Sequence, residues 1–128
     1  HIADATGAAI VAGGHATVGL LGTRFTMEQA FYRERLSSRH GLRVLLPGPA
    51  QREDVHRIIY QELCLGQIRE ESRACYRQVM ADLVAAGAQG IILGCTEISL
   101  LVSQQDAPVP LFDTTELHAK AALAFALG

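Results

Sequence analysis

Short apolar segments, most of them ending at glycine or proline, alternate with longer segments of helical periodicity along the 128-residue sequence. The apolar segments are Thr17–Leu21 and residues 42–46, 90–93 and 109–112. Runs of this length and composition are typical of strands that are buried on both faces of a parallel sheet. The alternation therefore predicts an α/β domain with a mainly parallel sheet flanked by helices.

The helices are predicted from capping residues and from the spacing of apolar side chains. Thr26 and Gln29 have the spacing of a capping box, which would begin a helix that ends at Gly41. Three further helices are marked by apolar residues at helical spacing: Val55, Ile58, Ile59 and Leu63, ending at Gly66; Ile68, Cys75, Val79 and Leu83, ending at Gly87; and Leu117, Ala121 and Phe125, capped by Asp113 or Thr114.

The composition fits one compact domain and excludes several classes of function. The net charge is −2 without a cluster of Lys and Arg, which argues against a nucleic-acid partner or an anionic membrane surface. No apolar run approaches the roughly 18 residues of a membrane span. The three cysteines are odd in number and lack CxxC spacing, so we expect no disulfide framework and no metal site. Free thiols indicate a cytoplasmic protein.

Polar residues follow three of the predicted strands, at residues 22–26, 94–97 and 113–115. Ligands bind at the carboxyl ends of the strands in open α/β sheets. Cys95 stands at such an end, where the start of a helix would lower the pKa of its thiol and favour the reactive thiolate. An inert buried cysteine is the ordinary alternative. That alternative is preferred for Cys64 and Cys75, which we expect in or near the core.

The neighbours of Cys95 have competing interpretations. Thr26 is explained fully as a helix cap, so Thr23 is the better ligand candidate. Glu97 could tune the thiol or carry protons, although a glutamate in a first helical turn also simply complements the helix dipole. Arg24 could meet a carboxylate, but a surface arginine is commoner. Asp113 is expected to be a cap.

Five ordered segments resemble the aspartate/glutamate racemase family, in particular its broad-specificity branch from enteric bacteria. They are Gly94-Cys95-Thr96-Glu97-Ile98, residues 22–27, residues 62–66, residues 112–118 and residues 1–5. The resemblance implies two similar α/β lobes that hold a small amino-acid substrate between them. Each lobe contributes one cysteine, on opposite sides of the substrate Cα, and neither pyridoxal phosphate nor a metal is required. Two bases suit a reaction that handles a proton on both faces of one carbon.

The resemblance also implies a role for each matching residue. Cys95 corresponds to the second catalytic cysteine, and Glu97 to the acidic neighbour that assists the thiol. Thr96 corresponds to the residue that binds the substrate α-carboxylate or amino group. Thr23 and Thr26 correspond to the loop that faces the substrate.

The sequence departs from the family pattern in one important respect. The cysteine motif of the first lobe, a Cys followed closely by Asn-Thr, is absent, and the sequence begins at His1 without an initiator Met. We therefore expect residues 1–128 to form the second lobe of a longer enzyme, with residues 113–128 returning to the first lobe. The chain alone is expected to be inactive, and its expected partner is the first lobe or a second copy in a homodimer.

Other functions fit the same residues. Single-cysteine decarboxylases of substituted malonates, maleate isomerases and hydantoin racemases are similar in fold. An inert carboxylate-binding or assembly fragment is an alternative of another class. The residue pair Cys64-Leu65 replaces a basic residue that the resemblance associates with strict aspartate specificity, which favours an uncharged or varied substrate side chain.

Overall fold

The computed structural model describes residues 2–128, so His1, part of the opening segment named above, lies outside the described residues. Within residues 2–128, four strands and seven α-helices follow the predicted alternation. The strands are β1 (Thr17–Leu21), β2 (Arg43–Leu45), β3 (Ile91–Leu93) and β4 (Leu111–Asp113). The helices are α1 (Ile2–Ala12), α2 (Arg24–Glu28), α3 (Ala30–His40), α4 (Pro49–Gln61), α5 (Glu70–Ala85), α6 (Ile98–Leu101) and α7 (Thr114–Leu127), and 3-10 turns cover Leu63–Leu65 and Gln104–Asp106.

The strands form one parallel sheet in the order β2-β1-β3-β4, which confirms the predicted α/β fold. The bounds of the predicted strands differ from the observed ones by at most two residues. The register aligns Leu21 with Leu93, and Leu93 with Asp113. The carboxyl ends of β1, β3 and β4 therefore lie side by side at one edge of the sheet, where the polar segments begin.

Apolar side chains cover both faces of the sheet, as expected for parallel strands. One cluster contains Leu21, Ile91 and Leu93 and packs against α4, α5 and α6. The other contains Val18, Leu20 and Ile92 and packs against α1 and α3. The central strands β1 and β3 contribute to both clusters, which fixes the position of their carboxyl ends.

The helix predicted to begin at Thr26 is two helices, so that prediction is wrong. Thr23 is the N-cap of α2, and its side chain accepts the backbone N–H of Thr26. Gln29 has an extended backbone, with ψ of 127°, and separates α2 from α3. Thr26 lies inside α2, and the extended backbone of Gln29 ends that helix, so Thr23 is the threonine that stands at a helix N-terminus. The predicted end at Gly41 is confirmed.

The segment between α4 and α5 also differs from the prediction. Leu63 is buried but lies in the 3-10 turn, after α4 has ended at Gln61. Gly66 ends that turn with a φ of 76°, a conformation that favours glycine. Ile68 lies before α5, is 44% exposed and does not contribute to the stripe of α5. Cys75, Val79 and Leu83 do lie on α5.

Helix α7 packs on α1 but leaves apolar side chains in solvent. Asp113 is its N-cap, as expected, and accepts the backbone N–H groups of Thr115 and Glu116. Leu123, Phe125 and Leu127 are exposed, Phe125 by 90%. Packing of residues 113–128 on a further lobe stays a prediction.

β4 is an edge strand of the sheet, and the side chain of Gln104 bonds backbone groups along its outer side. Gln104 donates from Nε2 to the carbonyl of Val109 at 2.7 Å, and its Oε1 accepts the N–H of Leu111 at 3.0 Å. Separately, none of the helices within residues 2–128 has both the length and the apolar character that crossing a membrane requires.

Candidate active site

Cys95 follows β3 in a turn that two close contacts define. The N–H of Gly94 donates to the carbonyl of Leu21 at 2.7 Å, which continues the pairing of β1 with β3 by one residue. A Cβ at residue 94 would lie 2.9 Å from that carbonyl oxygen and 3.3 Å from Cγ2 of Thr26. Only glycine fits this approach without displacing its neighbours, so Gly94 holds Cys95 directly beside the end of β1.

The Cys95 thiol and the Glu97 carboxylate form a hydrogen-bonded pair. Sγ of Cys95 donates to Oε2 of Glu97 at 2.9 Å. Burial against the core, and then the Glu97 carboxylate, raise the pKa of Cys95 to about 11. The same hydrogen bond lowers the pKa of Glu97. At neutral pH the pair therefore holds a protonated thiol beside an ionised carboxylate.

The expectation that a helix N-terminus lowers the pKa of Cys95 is wrong. Helix α6 has four residues and begins at Ile98, three residues after the thiol. A helix of one turn sums few peptide dipoles. Burial and the adjacent carboxylate therefore decide the direction of the shift. Glu97 is the N-cap of α6 without a side-chain capping bond, since its carboxylate accepts the thiol instead.

Thr23 and Thr26 lie together at the end of β1. Their hydroxyl oxygens are 3.2 Å apart, and both side chains are half-buried. The capping role expected of Thr26 belongs to Thr23, and the hydroxyl of Thr26 is hydrogen-bonded to that of Thr23 instead. The methyl group of Thr26, Cγ2, packs beside Gly94, where an added Cβ would lie 3.3 Å from it. The structure thus brings Thr26 against the residue that precedes Cys95.

Arg24 is directed away from this cluster, towards α4. Its guanidinium pairs with Glu53, and its backbone N–H donates to Nδ1 of His56 at 2.8 Å. Both partners stand about 30 residues away in sequence, and no local pattern marks them. The Glu53 carboxylate therefore pairs with the positive charge of Arg24 within the chain. This agrees with the prediction that Arg24 is a surface residue.

The end of β4 is tied to the end of β3. Thr114 is buried, and its hydroxyl donates to the carbonyl of Leu93 at 3.2 Å. Asp113 accepts a hydrogen bond from the Ser99 hydroxyl at 2.6 Å. Thr96 is exposed, and its Oγ1 lies 3.4 Å from Oγ1 of Thr115. Thr115 therefore joins the site next to Thr96, a position that the sequence marked only as part of a polar strand end.

The other two cysteines differ from each other. Cys75 is half-buried on α5, and burial raises its pKa, which agrees with the expected packing role. Cys64 is exposed on the 3-10 turn, so the expectation of a core position is wrong for it. It also lies close enough to Cys95 to contribute to the raised pKa of that thiol. Gly66 was the available signal that residues 63–65 form a turn.

A pocket of about 510 Å³ lies beside this cluster, between α6, α7 and β4. Leu93, Ser99 and Asp113 line it, whereas Cys95, Glu97 and the three candidate threonines do not. The pocket therefore adjoins the candidate residues through the ends of β3 and β4 and does not contain them. Within residues 2–128, no group of three or more His, Cys, Asp or Glu side chains could hold a metal ion.

Solved structures share this arrangement of strands and helices. A protein from Yersinia pestis, proposed to be an Asp/Glu racemase, is 59% identical with a TM-score of 0.97, over 100% of this chain and 56% of that one. An aspartate racemase homologue from Pyrococcus horikoshii OT3 is 34% identical with a TM-score of 0.91, over 99% of this chain and 55% of that one. Picrophilus torridus aspartate racemase, at 16% identity and a TM-score of 0.63, covers 95% of this chain with 52% of its own length and shares the fold.

This chain thus spans about half the length of the solved chains that it matches. The family model for Asp/Glu/Hydantoin racemases matches residues 1–122. That match includes the ends of β1, β3 and β4 and every candidate residue described above. The resemblance drawn from the five sequence segments is confirmed: the chain belongs to the Asp/Glu/Hydantoin racemase family.

Proposed function

We propose that this chain supplies one catalytic thiol, Cys95, to a cofactor-independent amino-acid racemase. The observation that carries the proposal is the Cys95–Glu97 pair, 2.9 Å from Sγ to Oε2, at the carboxyl end of a central strand. Substrates of open α/β folds bind at that end. A thiol there, next to several threonine hydroxyls, suits proton transfer at the α-carbon of a bound amino acid.

The reaction needs two proton carriers on opposite faces of the α-carbon. A thiolate takes the α-proton on one face, so the C–H bond breaks and its electron pair passes into the substrate carboxylate. A thiol on the other face gives its proton to the same carbon. No atom or electron is gained or lost overall. Cys95, with a pKa raised to about 11, starts as the thiol that gives its proton.

Glu97 is proposed as the group that removes the proton from the Cys95 thiol when the reaction runs in the reverse direction. Its pKa is lowered, so it is ionised at neutral pH and accepts the thiol proton. Transfer of that proton to Glu97 leaves a thiolate, which can then abstract the α-proton of the opposite enantiomer. This transfer is unfavourable at equilibrium, because the pKa of Cys95 is raised and that of Glu97 is lowered, so the thiolate is a minor state that capture of the α-proton consumes. The short distance between the two atoms keeps the transfer fast.

The threonines are proposed to bind the substrate. Thr96 is exposed beside Thr115, and its hydroxyl can bind the α-carboxylate or the amino group. Thr23 and Thr26 present two half-buried hydroxyls at the neighbouring strand end. Hydroxyl groups fixed in this way can stabilise the negative charge that develops on the substrate carboxylate. The substrate is proposed to be a small amino acid.

The second thiol is proposed to come from another lobe. Two observations support this. The chain spans 56% of the Yersinia pestis protein. Helix α7 leaves Phe125 exposed. A homodimer is the alternative partner. The three free cysteines fit the cytoplasmic setting that we propose.

The test is exchange of the α-proton in deuterated buffer, followed by proton NMR on L- and D-amino acids. The 128-residue chain is compared with a chimera in which it replaces its matched segment of the Yersinia pestis protein. We expect exchange and racemisation in the chimera and neither in the chain alone. Cys95→Ser should abolish racemisation but leave exchange from one enantiomer, whereas Cys75→Ser should behave like the unsubstituted chimera.

Other outcomes would redirect the proposal. Turnover by the chain alone that Cys95→Ser abolishes would overturn the need for a second lobe. Equal loss of exchange from both enantiomers in Cys95→Ser would overturn the assignment of one thiol to each face. A chimera that exchanges no amino acid would favour the hydantoin racemase, decarboxylase or isomerase alternatives, or an inert carboxylate-binding fragment. Hydantoins, substituted malonates and maleate are the next substrates in that case.

A further inference from the structure

A buried carboxylate lies behind the turn that adjoins Cys95. Glu62 is 7% exposed and follows the last residue of α4. The Ser72 hydroxyl of α5 donates to its Oε1, and Nη1 of Arg57 lies 3.5 Å from its Oε2. A buried carboxylate without such partners would be strongly destabilising, so these contacts hold the side chain in place.

The backbone of Glu62 organises the same turn. Its carbonyl accepts the N–H of Leu65 at 3.0 Å and the N–H of Gln67 at 2.9 Å. Its own N–H donates to Ile58, the last turn of α4. Glu62 therefore joins α4, α5 and the turn of residues 63–66, which we name the Cys64 turn. Because Glu62 is hydrogen-bonded through both its side chain and its backbone, it restricts the conformations of that turn.

The Cys64 turn borders the candidate catalytic thiol. Its Leu63 side chain belongs to the buried cluster against which Cys95 packs. Helix α6, which begins shortly after Cys95, contacts the turn. Cys64 and Leu65 remain exposed on its outer side. Movement of the turn would thus change what covers the Cys95 thiol and what a substrate meets next to it.

We propose that Glu62 is a positioning residue, which fixes the Cys64 turn and thereby sets the access to Cys95. The proposal rests on the proposed catalytic role of Cys95. Glu62 does not touch the thiol and acts through the turn. Its two charged oxygens accept Ser72 and Arg57 separately, whereas an amide in its place keeps one acceptor oxygen and no charge, which weakens these contacts.

The first test measures alkylation of each cysteine of the 128-residue chain by iodoacetamide at pH 8, quantified by mass spectrometry. We expect Glu62→Gln and Ser72→Ala to speed the alkylation of Cys95 by about threefold or more, because the loosened turn opens more often. Cys75, half-buried on α5, should change by less than about twofold, since the opening is local. Glu71→Gln makes the same chemical change at an exposed neighbour and should match the unsubstituted chain.

Two results would overturn the proposal. One is an unchanged Cys95 rate in both variants. The other is an equal rise at Cys75, which would indicate general loosening of the fold instead of movement of the turn. If Glu62→Gln does not fold, Ser72→Ala decides alone, because it removes one partner of the carboxylate and keeps the charge.

The second test uses the chimera and separates this proposal from the proposed function. Glu62→Gln should raise KM for the amino acid by about fivefold or more, since a misplaced wall weakens substrate positioning. A smaller folded fraction would lower kcat and leave KM unchanged, and that result would contradict a positioning role. Absence of exchange in the unsubstituted chimera would reject the racemase proposal, whereas the alkylation rates would still decide the role of Glu62.

Discussion

The hydrogen bond from the Cys95 thiol to the Glu97 carboxylate distinguishes this cysteine from Cys64 and Cys75. Glu97 accepts it at 2.9 Å and raises the pKa of the thiol, as burial also does. A raised pKa keeps the thiol protonated until strongly alkaline pH, so Cys95 should react slowly with electrophiles near pH 7. Its value in the proposed reaction is as a proton donor with an acceptor already in place.

Glu97→Gln should shift the alkylation profile of Cys95 to lower pH. In the unsubstituted chain, the iodoacetamide rate should rise with pH towards a midpoint of about 11. Removal of the carboxylate removes a cause of the raised pKa, so the midpoint falls while burial keeps it above its ordinary value. Rates measured from pH 7 to 11 test this, with Cys64 of the same samples as control. A midpoint at or above that of the unsubstituted chain would contradict the pairing.

The sequence predicted candidate residues for this site, whose catalytic and binding roles stay predictions, but it did not predict their arrangement. Cys95 and Glu97 were marked by their place after a predicted strand and by the family motif. The pKa of the thiol could not be inferred, because it depends on burial and on a two-residue turn in place of a helix. The capping roles of Thr23 and Thr26 were interchanged, since both spacings are compatible with an N-cap and only the backbone at Gln29 selects between them.

Helices α1 and α3 are connected by one carboxylate. Asp4 accepts hydrogen bonds from Arg35 at 2.8 and 3.1 Å and lies 3.2 Å from Nε2 of His40. The His40 ring also packs on Gly7, where an added Cβ would lie 2.4 Å from the ring. Arg35 and then His40 hold the pKa of Asp4 well below its ordinary value. This contact orients the two helices on one face of the sheet.

Asp4→Asn should lower the free energy of unfolding at pH 7, and the loss should shrink as the pH falls. A carboxyl group with a depressed pKa in the folded state contributes its full stabilisation above the unfolded pKa, near 3.8, and that contribution decreases as the pH falls from there towards the depressed folded pKa. Urea unfolding at pH 7 and pH 3 tests both statements. Asp54→Asn is the matched control, because its pair with Arg57 is exposed and contributes little. A loss that is equal at both pH values would contradict the role of Asp4.

The fold of the whole chain was predictable because buried parallel strands produce apolar runs that differ from the helices around them. Strand β1 was predicted with its observed bounds. The break at Gln29 and the 3-10 turn after α4 were not predicted, since each depends on hydrogen bonds to the backbone of neighbouring residues. Contacts between elements distant in sequence, such as Arg24 with Glu53, leave no local pattern at all.

The apolar side chains of α7 should make the isolated chain self-associate. Leu123, Phe125 and Leu127 are each exposed near its end, Leu123 and Leu127 on one face of the helix and Phe125 on the other, and exposed apolar side chains drive association in water. We expect sedimentation equilibrium to show a concentration-dependent mass, which the double variant Leu123→Ser/Phe125→Ser returns to that of a monomer. Phe31→Ser, at an exposed apolar residue on α3, should leave the mass unchanged. A monomeric unsubstituted chain would argue against association through α7.

Gln104 blocks the addition of a further strand at the β4 edge of the sheet. Its side-chain amide mimics a neighbouring backbone by bonding Val109 and Leu111 of the β4 margin. A strand from another molecule would have to displace both bonds before it could pair there, which protects this margin from cross-β stacking and fibril growth. The β4 side of the sheet is therefore closed to a strand of a second molecule unless both bonds of Gln104 break.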